Sequence, residues 1–343
     1  MFVYLKQLTT AMLLVFSCAA LGQQDWQHDH EAGAMAAKQA HFVDAERLLT
    51  FSVKKAREAG QTNPLLARSL LDLSEVYRAE GKYAEAQPGY EESLNIFTKQ
   101  YGPDSVQVAE VLDRQAQLYK TLGDYAHAEP ALVHSLAIRK RELGETQPAT
   151  AQSENDLGEV YTEMGAYDKA EPLLTTALNA REAVLGPEHE DVGQSAKSLG
   201  DLCKRLGRRN DAEQLYKRAV SIYGKTVGGE HPDYANALES LARLYVEMGR
   251  YDASEPLLER VLTIRESVYG GEHHDVAVAL DALALTNQQL GKTREAAEQY
   301  ERALKIWSAI LGAGHSAVGS RFGESRPLLR TVARFNKCRA SVP

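Results

Sequence analysis

The chain has 343 residues, of which 44% are hydrophobic and 25% are charged, a composition that predicts a folded soluble protein and excludes a disordered one. Three cysteines are too few for a disulfide-stapled scaffold. The net charge of −8 argues against nucleic-acid binding, because phosphate recognition depends on clustered Lys and Arg side chains.

Residues 1–22 have the pattern of an export signal. Lys6 is followed by an apolar run from Ala11 to Leu21, which is shorter than the roughly 20 residues that a membrane-spanning helix needs. Small residues at Ala20 and Gly22 suit a signal peptidase. We therefore expect residues 1–22 to be removed and the protein to be exported, to the periplasm or out of the cell.

A second interpretation of this segment is a lipid anchor. The stretch from Val15 to Cys18 resembles a bacterial lipobox, in which the cysteine is lipid-modified, although Phe16 is bulkier than that motif prefers. Lipidation at Cys18 would make the protein a membrane-anchored lipoprotein. An uncleaved N-terminal helix is a third interpretation.

Beyond the signal, the sequence repeats with a period of 42 residues. One glycine set is Gly81, Gly123, Gly165, Gly207, Gly249 and Gly291, and the other is Gly102, Gly144, Gly186, Gly228, Gly270 and Gly312. Apolar residues recur at helical spacing between the sets, as with Leu174, Ala177 and Leu178. Each unit is therefore predicted to be two helices joined by a tight glycine turn, and residues 61–312 hold six such units.

Residues 23–60 precede the regular units. Residues 33–60 align with the later units if one residue is deleted, with Phe42 at the turn and Ala45, Leu48 and Leu49 at packing positions. We expect a degenerate repeat that caps the array, preceded by a polar, frayed tail.

The stretch from Glu272 to Asp275 looks at first like a metal site, because it offers two carboxylates and two imidazoles in succession. His273, however, occupies the same position of the repeat as His189 and His231, where another unit has Ser105. We expect these residues to mark the start of the next helix, with Pro148 and Pro232 at its first position and Asp191, Asp233 and Asp275 in its first turn. No metal site and no cofactor are predicted. The His28, Asp29 and His30 cluster is interpreted as part of the polar tail.

The segment from Leu241 to Ala277, "LARLYVEMGRYDASEPLLERVLTIRESVYGGEHHDVA", resembles the tetratricopeptide repeat family in the 42-residue form of kinesin light chains. The resemblance covers residues from about 33 to 318 and implies an all-α, right-handed superhelical solenoid of antiparallel helix pairs. The chain departs from the pattern where Arg209 and Thr293 replace the turn Tyr and where Cys203 and Asn287 replace the helix Tyr. Cys203 is expected to be a small buried residue.

In this family the first helices of successive units line a concave groove that holds extended peptides. Only Asn155 keeps one of the family's paired groove Asn residues. By register, the candidate groove residues of this chain are Arg68, Asp72, Glu75, Asp113, Arg114, Asn155, Asp156, Lys197, Asn236, Glu239 and Arg243.

Residues 313–343 form a basic tail, with Arg321, Arg326, Arg330, Arg334, Lys337 and Arg339 against Glu324. Leu328, Leu329, Val332 and Phe335 fit one helical face. One interpretation is a helix that caps the apolar end of the array, and the other is a helix that binds an anionic membrane or a partner.

These patterns predict a scaffold that binds a protein or peptide in its groove, without nucleic acid and without catalytic residues. No phosphate-binding loop, nucleophile elbow or HExxH motif occurs in the sequence. Membrane contact is expected only through a lipidated Cys18 or the basic tail. The alternatives are a lipid-anchored assembly factor of the envelope and, less favoured, an accessory part of an enzyme.

Overall fold

The computed structural model describes residues 26–60 and 62–311, which are helical apart from short turns and connections. The predicted signal with Cys18 and the basic tail at 313–343 lie outside the described residues. None of the described helices is long and apolar enough to cross a membrane.

Fourteen helices occur in the described ranges, and the first of them, α1, covers 26–38. The others are α2 (Phe42–Glu58), α3 (Pro64–Ala79), α4 (Tyr83–Tyr101), α5 (Val106–Thr121), α6 (Tyr125–Glu142), α7 (Pro148–Glu163), α8 (Tyr167–Leu185), α9 (Glu190–Arg205), α10 (Arg209–Thr226), α11 (Pro232–Glu247), α12 (Tyr251–Tyr269), α13 (His274–Gln289) and α14 (Thr293–Leu311).

The chain divides into two compact units, which we call unit 1, ending at Glu145, and unit 2, beginning at Thr146. Unit 1 contains α1–α6 and unit 2 contains α7–α14. Within each unit, an odd-numbered helix, here called a first helix, packs against the following even-numbered helix, here called a second helix. A first helix also packs against the second helix that precedes it in the same unit. The predicted all-α array of helix pairs is thus confirmed.

Small side chains allow the two helices of a pair to approach closely. In the second helices, one position of the repeat is always small and fully buried: Ala86, Ala128, Ala170, Ala212, Ser254 and Ala296. In the first helix α7, a Cβ at Gly158 would lie only 2.6 Å from the Cγ atom of Leu174 on α8. Cys203, which takes the place of a Tyr, is buried as predicted.

The turn glycines end each first helix in the left-handed conformation, as the sequence predicts. The six glycines of the first set have φ between +72° and +78°. Gly165 has φ +77°, and its amide donates to the carbonyl of Thr162 at 3.2 Å. A β-branched side chain is strained in this region of φ, whereas glycine is not.

We expect Gly165→Val to destabilise α7 and α8 by roughly 1–2 kcal/mol, the cost of the left-handed conformation for a residue with a Cβ. Because the stability of a repeat array is a sum of unit and neighbour terms, amide exchange should accelerate first in these two helices. Hydrogen-exchange mass spectrometry would check this, and a uniform acceleration over α3–α14 would contradict it. Gly165→Ala should show a smaller effect in the same place.

The first helix pair differs from the expected frayed tail, because residues 26–32 are helical and form the first half of α1. Trp26 is buried, and its indole N–H donates to the Ser69 hydroxyl on α3 at 2.8 Å. The second helix of this pair begins at Phe42, and Ala45 and Leu49 are fully buried, as the degenerate alignment predicts. Long-range contacts of α1 with the following helices, of which this hydrogen bond is one, therefore hold the start of the described array.

Candidate partner-binding face

The histidines of the linkers cap helices. The Nδ1 atoms of His189, His231 and His273 accept hydrogen bonds from the backbone amides two residues later, at 3.2, 3.2 and 3.1 Å. Pro148 and Pro232 occupy the start of α7 and α11, as predicted. Each such cap satisfies an amide that the helix leaves without a partner.

The first-turn carboxylates expected behind these histidines are also present, in α9, α11 and α13. They lie at the positive end of the helix dipole. Among the described residues, no group of three or more His, Cys, Asp or Glu side chains is placed to hold a metal ion. The contacts of His189, His231 and His273 with the following backbone amides are those of helix capping.

Within each unit, the candidate groove residues lie on the face of the first helices where neighbouring first helices contact each other. In unit 1, Arg68 of α3 bonds to Glu110 of α5 at 2.7 Å, and Arg114 of α5 lies 3.7 Å from Asp72 of α3. In unit 2, the Ser198 hydroxyl of α9 donates to Glu159 of α7 at 2.5 Å. We call this surface the groove face and define it by the positions equivalent to Arg68, Asp72 and Glu75 in each first helix.

Six of the candidate groove residues are accessible to a partner. The side chains of Arg68, Glu75, Arg114, Lys197 and Arg243 are 28–50% exposed, and Asn236 is exposed. The other five candidates are buried or nearly so: Asp72, Asp113, Asn155, Asp156 and Glu239. These five side chains hold the face together and are not free to contact a ligand in this structure.

Arginines of the second helices account for part of that burial. Arg139 of α6 bonds to Asp113 at 2.8 Å, and the two side chains are 8% and 6% exposed. Arg265 of α12 bonds in the same way to Glu239 at 2.5 Å, and it also reaches Asn236 at 3.2 Å. Each arginine thus passes between the helices of its pair and fixes a carboxylate beneath the groove face.

A third arginine in the same register, Arg181 of α8, is fully buried. It reaches neutral oxygen atoms, those of the Ser195 hydroxyl, the Asp191 carbonyl and the Gln152 amide. The spacing of 42 residues between Arg139 and Arg181 was visible in the sequence, but these arginines were not recognised as functional positions. Their sequence signal is a charged residue at a place where other units carry Phe97, Tyr223 and Trp307.

The exposed charges of the groove face in unit 1 are balanced by near neighbours. Arg78 bonds to Glu75, and the Tyr90 hydroxyl donates to the same carboxylate at 2.7 Å. Burial alone would raise the pKa of Glu75, but Arg78, Arg114 and Tyr90 outweigh it and lower this pKa to about 2. Glu75 is therefore ionised at neutral pH.

The same balance holds in unit 2. The carboxylate of Asp201, 2.9 Å away, raises the pKa of Lys197. Burial opposes the ionised form of Glu239, but Arg265 and Arg243 prevail and lower its pKa. With its charges paired, the face offers hydrogen-bonding groups held in fixed positions, which suits contact with a partner's backbone and polar side chains.

This arrangement of helix pairs in a repeating array defines a helical repeat protein of the tetratricopeptide class. The tetratricopeptide repeat family matches residues 65–141, 149–225, 216–267 and 233–309, which is more than half of the chain. The chain therefore belongs to this family, as the sequence pattern predicts. The family is generally a scaffold for protein interactions.

Solved structures similar to the chain come from several proteins. BtubC (BKLC) from P. vanneervenii is 20% identical, with coverage of 67% of this chain and 92% of that chain and a TM-score of 0.51. The putative kinesin light chain repeats from Podosopora anserina are 26% identical, with coverage of 59% and 95% and a TM-score of 0.48. A Rap protein complexed with competence and sporulation factor is 14% identical, with coverage of 91% and 99% and a TM-score of 0.54. No curated protein matches the sequence significantly.

Proposed function

We propose that the protein is a non-enzymatic scaffold that binds a protein or peptide partner on the groove face. The observation that carries this proposal is the set of accessible polar side chains on the first helices, held in place by ion pairs beneath and beside them. Arg243, for example, is 50% exposed and is fixed by Glu239, which a buried Arg265 holds from below. Side chains positioned in this way lose little conformational entropy when a partner binds.

The fold supports the same proposal. Repeat arrays present an extended concave surface lined by their first helices, and they act by stoichiometric binding. The Rap protein of the same fold is complexed with competence and sporulation factor. We infer by analogy that the groove face of this chain binds its partner in a comparable way, with the exposed residues Arg68, Arg114, Lys197, Asn236 and Arg243 in contact.

The test is capture of partners from an extract of the source cells by the full chain, with identification by mass spectrometry. In the groove variant Arg68→Ala, Asn236→Ala and Arg243→Ala, we expect capture to fall about tenfold or more, because each accessible contact contributes about 1 kcal/mol. These positions are preferable to Asp113 and Asn155, since both of those side chains are buried and their replacement would disturb folding.

A matched control replaces three exposed cations on second helices, Lys99→Ala, Arg209→Ala and Lys305→Ala. This control removes three positive charges from second helices, against two in the groove variant, and should capture the partner as the unmodified chain does. Equal capture by the groove variant and the unmodified chain would refute the proposal. Capture that is lost only in the control variant would move the binding surface to the second helices.

A further inference from the structure

The last first helix, α13, differs from the others on the groove face. At the three defining positions, α3 has Arg68, Asp72 and Glu75, and α11 has Asn236, Ser240 and Arg243. In α13 the same positions are Val278, Ala282 and Leu285, which we call the α13 patch. No other first helix from α3 to α11 has apolar residues at all three positions.

The α13 patch is partly open to solvent. The Leu285 side chain is 42% exposed, and Val278 and Ala282 are half-buried. Arg243, which precedes Leu285 by one repeat, is similarly accessible, so both positions face the same surface. Contiguous apolar groups exposed on an otherwise polar face usually mark a place where another segment binds.

The helix that follows α13, and unit 2 as a whole, are acidic. The first half of α14 runs beside the end of α13, since Asn287 donates to Gln299 at 3.0 Å. This part of α14 carries the exposed residues Glu295, Glu298 and Glu301. Residues 146–311 contain 27 acidic and 18 basic residues. A segment that combines apolar and basic side chains is therefore complementary to this region.

We propose that the α13 patch is the docking site of the chain's own basic segment, residues 326–339. In helical register, the apolar residues Leu328, Leu329, Val332 and Phe335 of this segment share one face, and Arg326, Arg330 and Arg334 share another. The apolar face covers the α13 patch, and the arginines are attracted by the net negative charge of unit 2. Residues 313–343 have six basic residues and one acidic residue, opposite in sign to the surface they meet.

The connection is long enough for this docking. The helix α14 ends at Leu311, beside the start of α13, where the rings of His274 and Trp307 are 4.9 Å apart. Residue 326 follows 15 positions later, and these residues can span up to about 50 Å. Leu285 lies 11 residues along α13 from His274, or about 16 Å along the helix axis. The segment can therefore reach the α13 patch without strain.

Docking there would place the segment on the groove face at the end of unit 2. A partner bound to the face would then compete with the segment or be limited to the helices before α13. The docking itself does not depend on the proposed function, because it involves one chain alone. Its test can consequently fail while partner capture succeeds, and the reverse also holds.

The test replaces Leu285 by p-benzoylphenylalanine in the full chain and identifies photo-crosslinked peptides by mass spectrometry. We expect crosslinks from position 285 to residues 326–339 in the band of a single chain. The matched control carries the same crosslinker at Arg243, in the equivalent position one repeat earlier, and should give far fewer crosslinks to this segment. The absence of crosslinks from position 285 to residues 326–339 would overturn the proposal.

Two further outcomes are decisive. In the chain with the crosslinker, Leu329→Asp and Val332→Asp should reduce the yield about tenfold, because both changes remove apolar contact. Crosslinks found only between two chains would overturn intramolecular docking and assign the patch to a second copy. The proposal would also be overturned if the chain gave no intramolecular crosslink and sedimented with phosphatidylglycerol vesicles. That result would assign the basic segment to a membrane surface.

Discussion

The variant Arg139→Leu should destabilise unit 1 by about 3–5 kcal/mol, the usual cost of breaking a buried ion pair by removal of one partner. Arg139 bonds to Asp113 at 2.8 Å, and both side chains are more than nine-tenths buried. Leucine leaves the Asp113 carboxylate in a site that water cannot hydrate well. The loss comes mostly from that stranded charge and only partly from the missing attraction.

The neighbouring repeat supplies the matched control. Phe97 and Leu71 occupy the same two positions one repeat earlier, and both are buried in the core of unit 1. The double variant Arg139→Phe and Asp113→Leu copies that apolar pair. It should recover most of the lost stability, since well-packed apolar residues can replace a buried ion pair at little cost.

The chain has two tryptophans, and each reports on one unit: Trp26 on unit 1 and Trp307 on unit 2. Urea unfolding of the chain labelled with 5-fluorotryptophan can be followed by fluorine NMR. In Arg139→Leu, the Trp26 transition should move to lower urea by about 1–2 M, while the Trp307 transition moves less. An unchanged Trp26 transition, or a double variant less stable than the single one, would contradict this account.

Most of the fold can be inferred from the 42-residue period of the sequence. Glycines that recur every 42 residues identified the turns because only a residue without a Cβ adopts a φ near +75° at no cost. The histidine at position 273 could be assigned to a linker because sister units carry Ser or Gln there, and the structure shows it capping α13. Features that every unit repeats are local, so they can be inferred from a single chain.

The candidate site was less accessible to sequence reasoning. Register places Asp113 and Arg243 on the same face, but only one of them is exposed. The difference arises from an arginine 26 residues further along, Arg139, which lies on another helix and covers Asp113 from below. Such contacts depend on whether a side chain of one helix is long enough to reach the other helix of its pair. The position of a residue in the repeat does not show this.

Trp26 is a second example of the same limit. Its neighbours His28, Asp29 and His30 are polar, so the local composition indicated a frayed tail. The structure shows instead that the indole packs on α3 and donates to Ser69, 43 residues away. Long-range contacts of Trp26 and His30 with α3 stabilise a helix where the polar composition of the segment indicated a frayed tail.

Acid should weaken unit 1 through Glu75. The pKa of this carboxyl is lowered from 4.5 to about 2 in the folded protein, so the ionised form stabilises the fold above pH 4.5. This contribution is lost as the pH falls from about 4.5 towards 2, because the unfolded chain then takes up a proton that the folded chain resists. Glu75→Gln should therefore cost about 2 kcal/mol at pH 7 and progressively less in acid.

The cost at neutral pH lies below the roughly 3 kcal/mol that the full pKa shift would allow, because water reaches part of the side chain and screens its partners. The next repeat has Gln117 at the equivalent position, so the backbone accepts this residue type. Urea unfolding of both chains between pH 3 and pH 7, followed at Trp26, measures the difference. Tyr90→Phe removes one hydrogen bond to the carboxylate and should shift the acid loss to higher pH. A stability difference between Glu75→Gln and the unmodified chain that stays constant over this range would show that Glu75 acts through packing and not through its charge.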